Sequence, residues 1–238
     1  MYKYLYIFIF FGLFAACKKK TTPAEEIDLG KSYYPFNIGK YVVYDVDSIV
    51  YDEFTFDSTH YKYRIKEKIE EEFTDIENKK AYKLLRYIKK FNASKPYDSI
   101  PWSIKDVWQV NINTTNIEVT EENVRFTKLI FPVKNGSTWN GNAKNTIGEW
   151  EYKYTSVDAA ESVNSVLFDK VATVLQKDFR TLISWQYYQE KYARNVGLVY
   201  REIIEIKHAF APLNTGFYDI PQKQGVFYKL KVINYGNE

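Results

Sequence analysis

The chain has 238 residues, with 33 Lys and Arg against 30 Asp and Glu and a formal net charge of +3. Charges of both signs are interspersed, a pattern that excludes a dedicated nucleic-acid surface. Aromatic residues make up 18% of the chain, which suits strands, and the single cysteine excludes an internal disulfide framework.

The first element is MYKYLYIFIFFGLFAAC. Lys3 supplies positive charge, Leu5 to Phe14 are apolar apart from Gly12, and Ala15 and Ala16 are small. The run is shorter than the ~20 apolar residues a membrane span needs, so residues 1–16 read as a signal peptide. Phe14-Ala15-Ala16-Cys17 resembles the lipobox of bacterial lipoproteins, with Phe14 where Leu is usual. The resemblance implies a diacylglyceryl group on the Cys17 sulfur, cleavage before Cys17 and acylation of the new amine. One acyl chain anchors only marginally, whereas two or more hold stably, at ~0.8 kcal/mol per buried CH₂. A lipidated Cys17 leaves no thiol for catalysis or metal binding.

Residues 17–32 then read as the lipidated cysteine and a flexible tether, KKKTTPAEEIDLGKS after Cys17. In the lipoproteins it resembles, acidic residues just after the cysteine redirect sorting. Lys18-Lys19-Lys20 do not match that signal, so the expectation is an outer-membrane anchor facing the periplasm.

From Tyr33 to Glu238 a two-residue hydrophobic period dominates. Val42, Tyr44, Val46 and Val50 share one face, with Asp45 and Asp47 on the other. Tyr61, Tyr63, Ile65 and Ile69 oppose Lys62, Arg64, Lys66 and Lys68. Trp150, Tyr152 and Tyr154 alternate with Glu149, Glu151 and Lys153, and Val226, Tyr228, Leu230 and Val232 fall together. Residues 164–175 and 196–206 are weaker strands. Residues 81–91 fit a strand better than a helical stripe, and 181–191 fit either. The predicted fold is mainly β: one domain, 33–238, a curved antiparallel meander of roughly nine to eleven strands with little helix. It would form a half-barrel or an open barrel-like sheet.

Three stretches, YYPFNIGKYVVYDV (33–46), LIFPVKNGSTWNGNA (129–143) and EKYARNVGLVYREI (190–203), resemble a group of uncharacterised Bacteroidota-type outer-membrane lipoproteins. That resemblance implies an envelope location and a β-domain but no activity. The signal, the anchor and the meander together are also similar in architecture to half-barrel lipoprotein carriers, and architecture does not give function.

Signals for chemistry are sparse. His60 and His208 have no partner at metal-ligand spacing, and H-E-x-x-H, G-x-S-x-G and S-x-x-K are absent. GSTWNGNA (136–143) has P-loop-like glycines, but Asn142 and Ala143 stand where Lys and Ser or Thr are needed. No catalytic residue, metal site or cofactor is expected. Asp47-Ser48-Ile49, Asp57-Ser58-Thr59 and Asp98-Ser99-Ile100 resemble an O-glycan acceptor sequence of exported proteins in that bacterial group. The candidate binding loop holds Trp139, Asn140 and Asn142, because a tryptophan in a Gly/Asn-rich loop must either pack or bind. The expected role is a non-enzymatic, lipid-anchored binding or scaffold module. Its partners would be the membrane through Cys17 and a protein, glycan or lipid ligand, with no nucleic acid. The alternative is a half-barrel carrier of a lipid or other apolar ligand.

Overall fold

A computed structural model describes residues 27–52, 54, 55, 57–208 and 223–238; Cys17 and the signal peptide lie outside these. Among the described residues twelve strands form one antiparallel sheet: β1 (Lys40–Tyr51), β2 (Ser58–Thr74), β3 (Lys80–Lys90), β4 (Ser103–Ile112), β5 (Asn116–Glu121), β6 (Val124–Ile130), β7 (Thr138–Asn140), β8 (Glu151–Val163), β9 (Val166–Arg180), β10 (Ser184–Ala193), β11 (Gly197–His208) and β12 (Lys223–Asn237). Short 3₁₀ turns lie at Lys31–Tyr33 and Tyr97–Ser99. The strand order is β6-β5-β4-β3-β2-β1-β12-β11-β10-β9-β8-β7. The count exceeds the expected nine to eleven because the central stretch divides into short strands at close turns. Both ambiguous segments are largely strand: residues 81–90 of the first fall on β3, and 184–191 of the second fall on β10 after a turn at 181–183.

The pairings follow the hydrophobic alternation. Tyr44 lies opposite Ile65 and Val232, and Val46 opposite Tyr63 and Leu230. These residues face inward, with Tyr44, Ile65, Leu230 and Val232 buried in one core cluster. Asp45 and Asp47 fall on the outer face between lysines and Arg64 of β2 and β12. Two-residue turns close the β5–β6 and β8–β9 hairpins. Both central residues of each have positive φ: Glu122 and Asn123 at 47° and 65°, Asn164 and Ser165 at 51° and 68°. This geometry matches the twist of the flanking strands.

The two ends of the strand order curl round to meet, giving a nearly closed barrel. The seam is made without a strand ladder. The Thr127 amide donates to the Gly141 carbonyl at 2.8 Å, and Trp139 Nε1 donates to the Thr127 carbonyl at 2.8 Å. The Tyr154 hydroxyl receives the Ile130 amide at 3.0 Å and donates to the Ile130 carbonyl at 2.9 Å. Gly141 is required here, because a Cβ would lie 2.3 Å from the buried Tyr152 ring.

Docking of the chain onto the barrel begins before Tyr33, the expected start of the domain. The Leu29 carbonyl accepts the Val133 amide at 3.0 Å, and that of Ser32 accepts the Asn195 amide at 2.7 Å. Arg194 pairs with Asp28 and reaches Asp158 at 2.7 Å. Tyr33 is fully buried and donates to Asp158 at 2.9 Å. Polar sequence in 27–32 reads as a tether, yet Asp28 pairs with Arg194 and Leu29 packs against the core, whereas Ile27 is exposed. In a meander, connections alternate between ends. The chain therefore enters at the end of the β10–β11 turn, and the β1–β2, β3–β4, β7–β8 and β9–β10 connections lie at the far end.

Candidate functional site

Three places on the barrel could carry function: the central loop, a belt of charge in the core and a groove on the outer face.

The central loop runs along the seam, and β7 within it is the last strand of the sheet. Trp139 is half-buried, with its ring 4.7 Å from that of Tyr154 and 5.9 Å from that of Tyr152. Asn140 Oδ1 accepts the Asn142 amide at 2.9 Å and the Trp150 amide at 3.3 Å. Asn142 is buried, its Nδ2 donating to the Gly148 carbonyl at 2.8 Å. All three candidate side chains are engaged by bonds that hold the loop and close the barrel.

The belt was not foreseen from the sequence. On β10, Glu190 is 1% exposed. Its Oε1 meets Lys128 Nζ of β6 at 3.1 Å and Arg201 Nη2 of β11 at 2.6 Å. Its Oε2 accepts from Gln176 and from the Tyr192 hydroxyl, both at 2.6 Å. Glu121 of β5 shares the same cations, at 2.9 Å from Lys128 and 2.8 Å from Arg201. A second cluster lies on β2–β4, where Arg86 bonds Glu67 and Asp106, each at 2.9 Å, and stacks 3.7 Å over the Trp108 ring. The Tyr44 hydroxyl lies 3.3 Å from Glu67 and donates to the Leu198 carbonyl at 3.0 Å.

Burial pushes the Glu121 carboxyl up, but Arg201 and Lys128 outweigh it and hold its pKa at about 2. The Glu190 carboxyl is likewise opposed by burial and held low by Arg201 and Lys128. Both therefore stay ionised at neutral pH.

The groove lies between the β3–β4 connection and strands β1, β2 and β12. It encloses about 480 Å³ and is lined by Asp45, Asp47, Lys62, Phe91, Tyr97, Lys229 and Lys231, among others. Asp45 pairs with Arg64 and Asp47 with His60, each at 2.8 Å, and Lys229 pairs with Glu202 at 3.1 Å. Arg64 also stacks 4.2 Å from the Tyr97 ring. Among the described residues no three of His, Cys, Asp and Glu converge to hold a metal ion.

The acceptor-like serines separate by position. Ser48 is 6% exposed within β1, so its burial removes it as an acceptor, whereas Ser58 and Ser99 are exposed.

No protein-family profile matches the chain, and no curated protein matches it. Among solved structures it is similar to a protein from Bacteroides fragilis NCTC 9343 named as an exported protein with a YmcC-like fold. That match has 9% identity and a TM-score of 0.43 and covers 86% of this chain and 98% of the other. A protein from Parabacteroides distasonis ATCC 8503 named as a lipoprotein gives 10% identity and a TM-score of 0.40, over 89% of this chain and 100% of that one. A domain from Vibrio parahaemolyticus named as an outer membrane lipoprotein-sorting protein domain gives 11% and 0.22, over 88% and 89%. All three likenesses are loose in shape and low in identity.

Proposed function

We propose that the chain is a lipid-anchored cell-envelope protein, held at the outer membrane through Cys17 and facing the periplasm. Its barrel acts as a non-enzymatic binding or scaffold module. The observation that carries the module reading is the belt of charge inside the barrel. A carrier of lipid needs a continuous apolar concave face, and Glu67, Arg86, Glu121, Lys128, Glu190 and Arg201 interrupt that face from β2 round to β11. Partners are then met on the outside. Ten residue steps separate Cys17 from Ile27, a reach of at most ~35 Å. In this reading the barrel's far end points away from the anchoring bilayer.

The anchor is tested with Cys17→Ser, which should abolish incorporation of a fatty-acid analogue and leave the signal peptide attached. Equal label on wild type and variant would refute the lipid anchor. The module reading is tested by native mass spectrometry of the mature chain purified from membranes. The expected mass is that of the protein with its own acyl groups. A stoichiometric, releasable lipid in addition would favour the carrier instead.

A further inference from the structure

We infer that the outer-face groove is a binding site for a neutral saccharide, an inference that rests on reading the barrel as a binding module. A pyranose ring has an apolar C–H face and a rim of hydroxyls, each able to donate and to accept. Its complement is an aromatic ring beneath, with acceptors and donors around it. Polarised C–H groups are drawn to the negative face of the aromatic.

The groove supplies each part. Phe91 and Tyr97 lie with ring centroids 6.1 Å apart at 57°, and Phe91 is 56% exposed. Tyr97 is fixed from behind by Arg64, and its carbonyl accepts from Lys89 at 3.0 Å. The Phe91 amide bonds the Lys62 carbonyl at 3.1 Å, so the aromatic wall is set before any ligand arrives, which lowers the entropic cost of binding. Across from it, Asp45 and Asp47 offer acceptors, and Lys62, Lys229 and Lys231 offer donors.

The charges around the groove are mixed and largely paired: Asp45 with Arg64, Asp47 with His60 and Lys229 with Glu202, so neither sign dominates the lining. Hydroxyl groups fit either kind of neighbour. The enclosed volume of about 480 Å³ falls within the ~300–1,000 Å³ of small-molecule sites. The groove opens on the outer face, so a saccharide can enter without disturbing the core belt.

The test is isothermal titration of the mature chain in a non-glycosidic detergent. The probes are maltotriose, the N-acetylglucosamine trimer and, as an anionic comparison, the galacturonic acid trimer. At least one neutral trimer should bind with a Kd below about 1 mM. Phe91→Leu keeps an apolar side chain but removes the ring face, and should weaken that binding about tenfold or more. Asp47→Asn should weaken it less, with thermal unfolding unchanged in both variants. No heat from either neutral trimer at about 10 mM, binding indifferent to Phe91→Leu, or preference for the anionic trimer would each overturn the site. Such failure with Cys17 still labelled would leave the anchored-module reading standing, whereas loss of labelling alone would leave the saccharide site standing.

Discussion

Arg201→Leu is expected to lower the free energy of unfolding by about 3–5 kcal/mol, the cost of removing one partner from a buried charge pair. Arg201 binds Glu121 and Glu190 together, at 2.8 and 2.6 Å. Without it, two buried carboxylates share only Lys128. One of them must protonate or draw in water, and either response loosens the joint between β5, β6, β10 and β11. Urea denaturation gives the loss directly, and a change below about 1 kcal/mol, the range of surface pairs, would contradict the argument. Glu190→Gln should be costly for the same reason. The double variant should cost less than the sum of the two, because the second change removes a charge already stranded by the first.

Acid titration offers a second reading of the same belt. Glu121 has a folded pKa of about 2, against an ordinary 4.5. A depressed carboxyl pKa contributes stability that is present above the unfolded value and lost as pH falls through the folded one. Its contribution should therefore be complete above about pH 4.5 and disappear toward about pH 2. Arg201→Leu should flatten that part of the profile, since the guanidinium is the leading cause of the depression.

The outward and inward faces of β1, β2, β8 and β12 were legible in the sequence because their alternation is regular and one side is wet. Val42-Tyr44-Val46 and Trp150-Tyr152-Tyr154 fall inward as the period requires. The belt escaped the same reading although the same period holds it. Glu67 stands between Ile65 and Ile69, and Arg201 between Val199 and Ile203, both at inward positions. A charge there reads as a lapse in the pattern until its partner is known. Here the partners lie up to 80 residues away, as from Glu121 to Arg201, or on Lys128, where a register shift in the β5–β6 pairing disturbs the alternation. Bulges hide inward positions in this way because the extra residue inverts every face beyond it. The groove was out of reach for a related reason. Its aspartates and lysines look like ordinary solvated residues, and only the fold of the β3–β4 connection brings Phe91 and Tyr97 over them.

At the seam, Trp139→Ala should cost about 3 kcal/mol, the lower end of the range for a large aromatic in a core, since Trp139 is half-buried rather than fully enclosed. Its ring fills the space against Tyr152 and Tyr154, and its Nε1 closes on the Thr127 carbonyl at 2.8 Å. Trp139→Phe retains most of the packing and loses the hydrogen bond, so it should cost about 1 kcal/mol. The two variants separate packing from hydrogen bonding, and urea denaturation measures both. If Trp139 instead served as a binding anchor, Trp139→Ala would stay within about 0.5 kcal/mol of wild type, as surface substitutions do. Hydrogen exchange locates the effect. The Thr127 amide bonds the Gly141 carbonyl across the join, and no strand ladder stands behind that bond. In Trp139→Ala this amide should therefore lose protection first, while Leu230 and Val232 at the centre of the sheet keep protection that tracks global unfolding. A barrel closed by side chains rather than by paired strands opens where those side chains are removed, and uniform loss of protection over all twelve strands would contradict that picture.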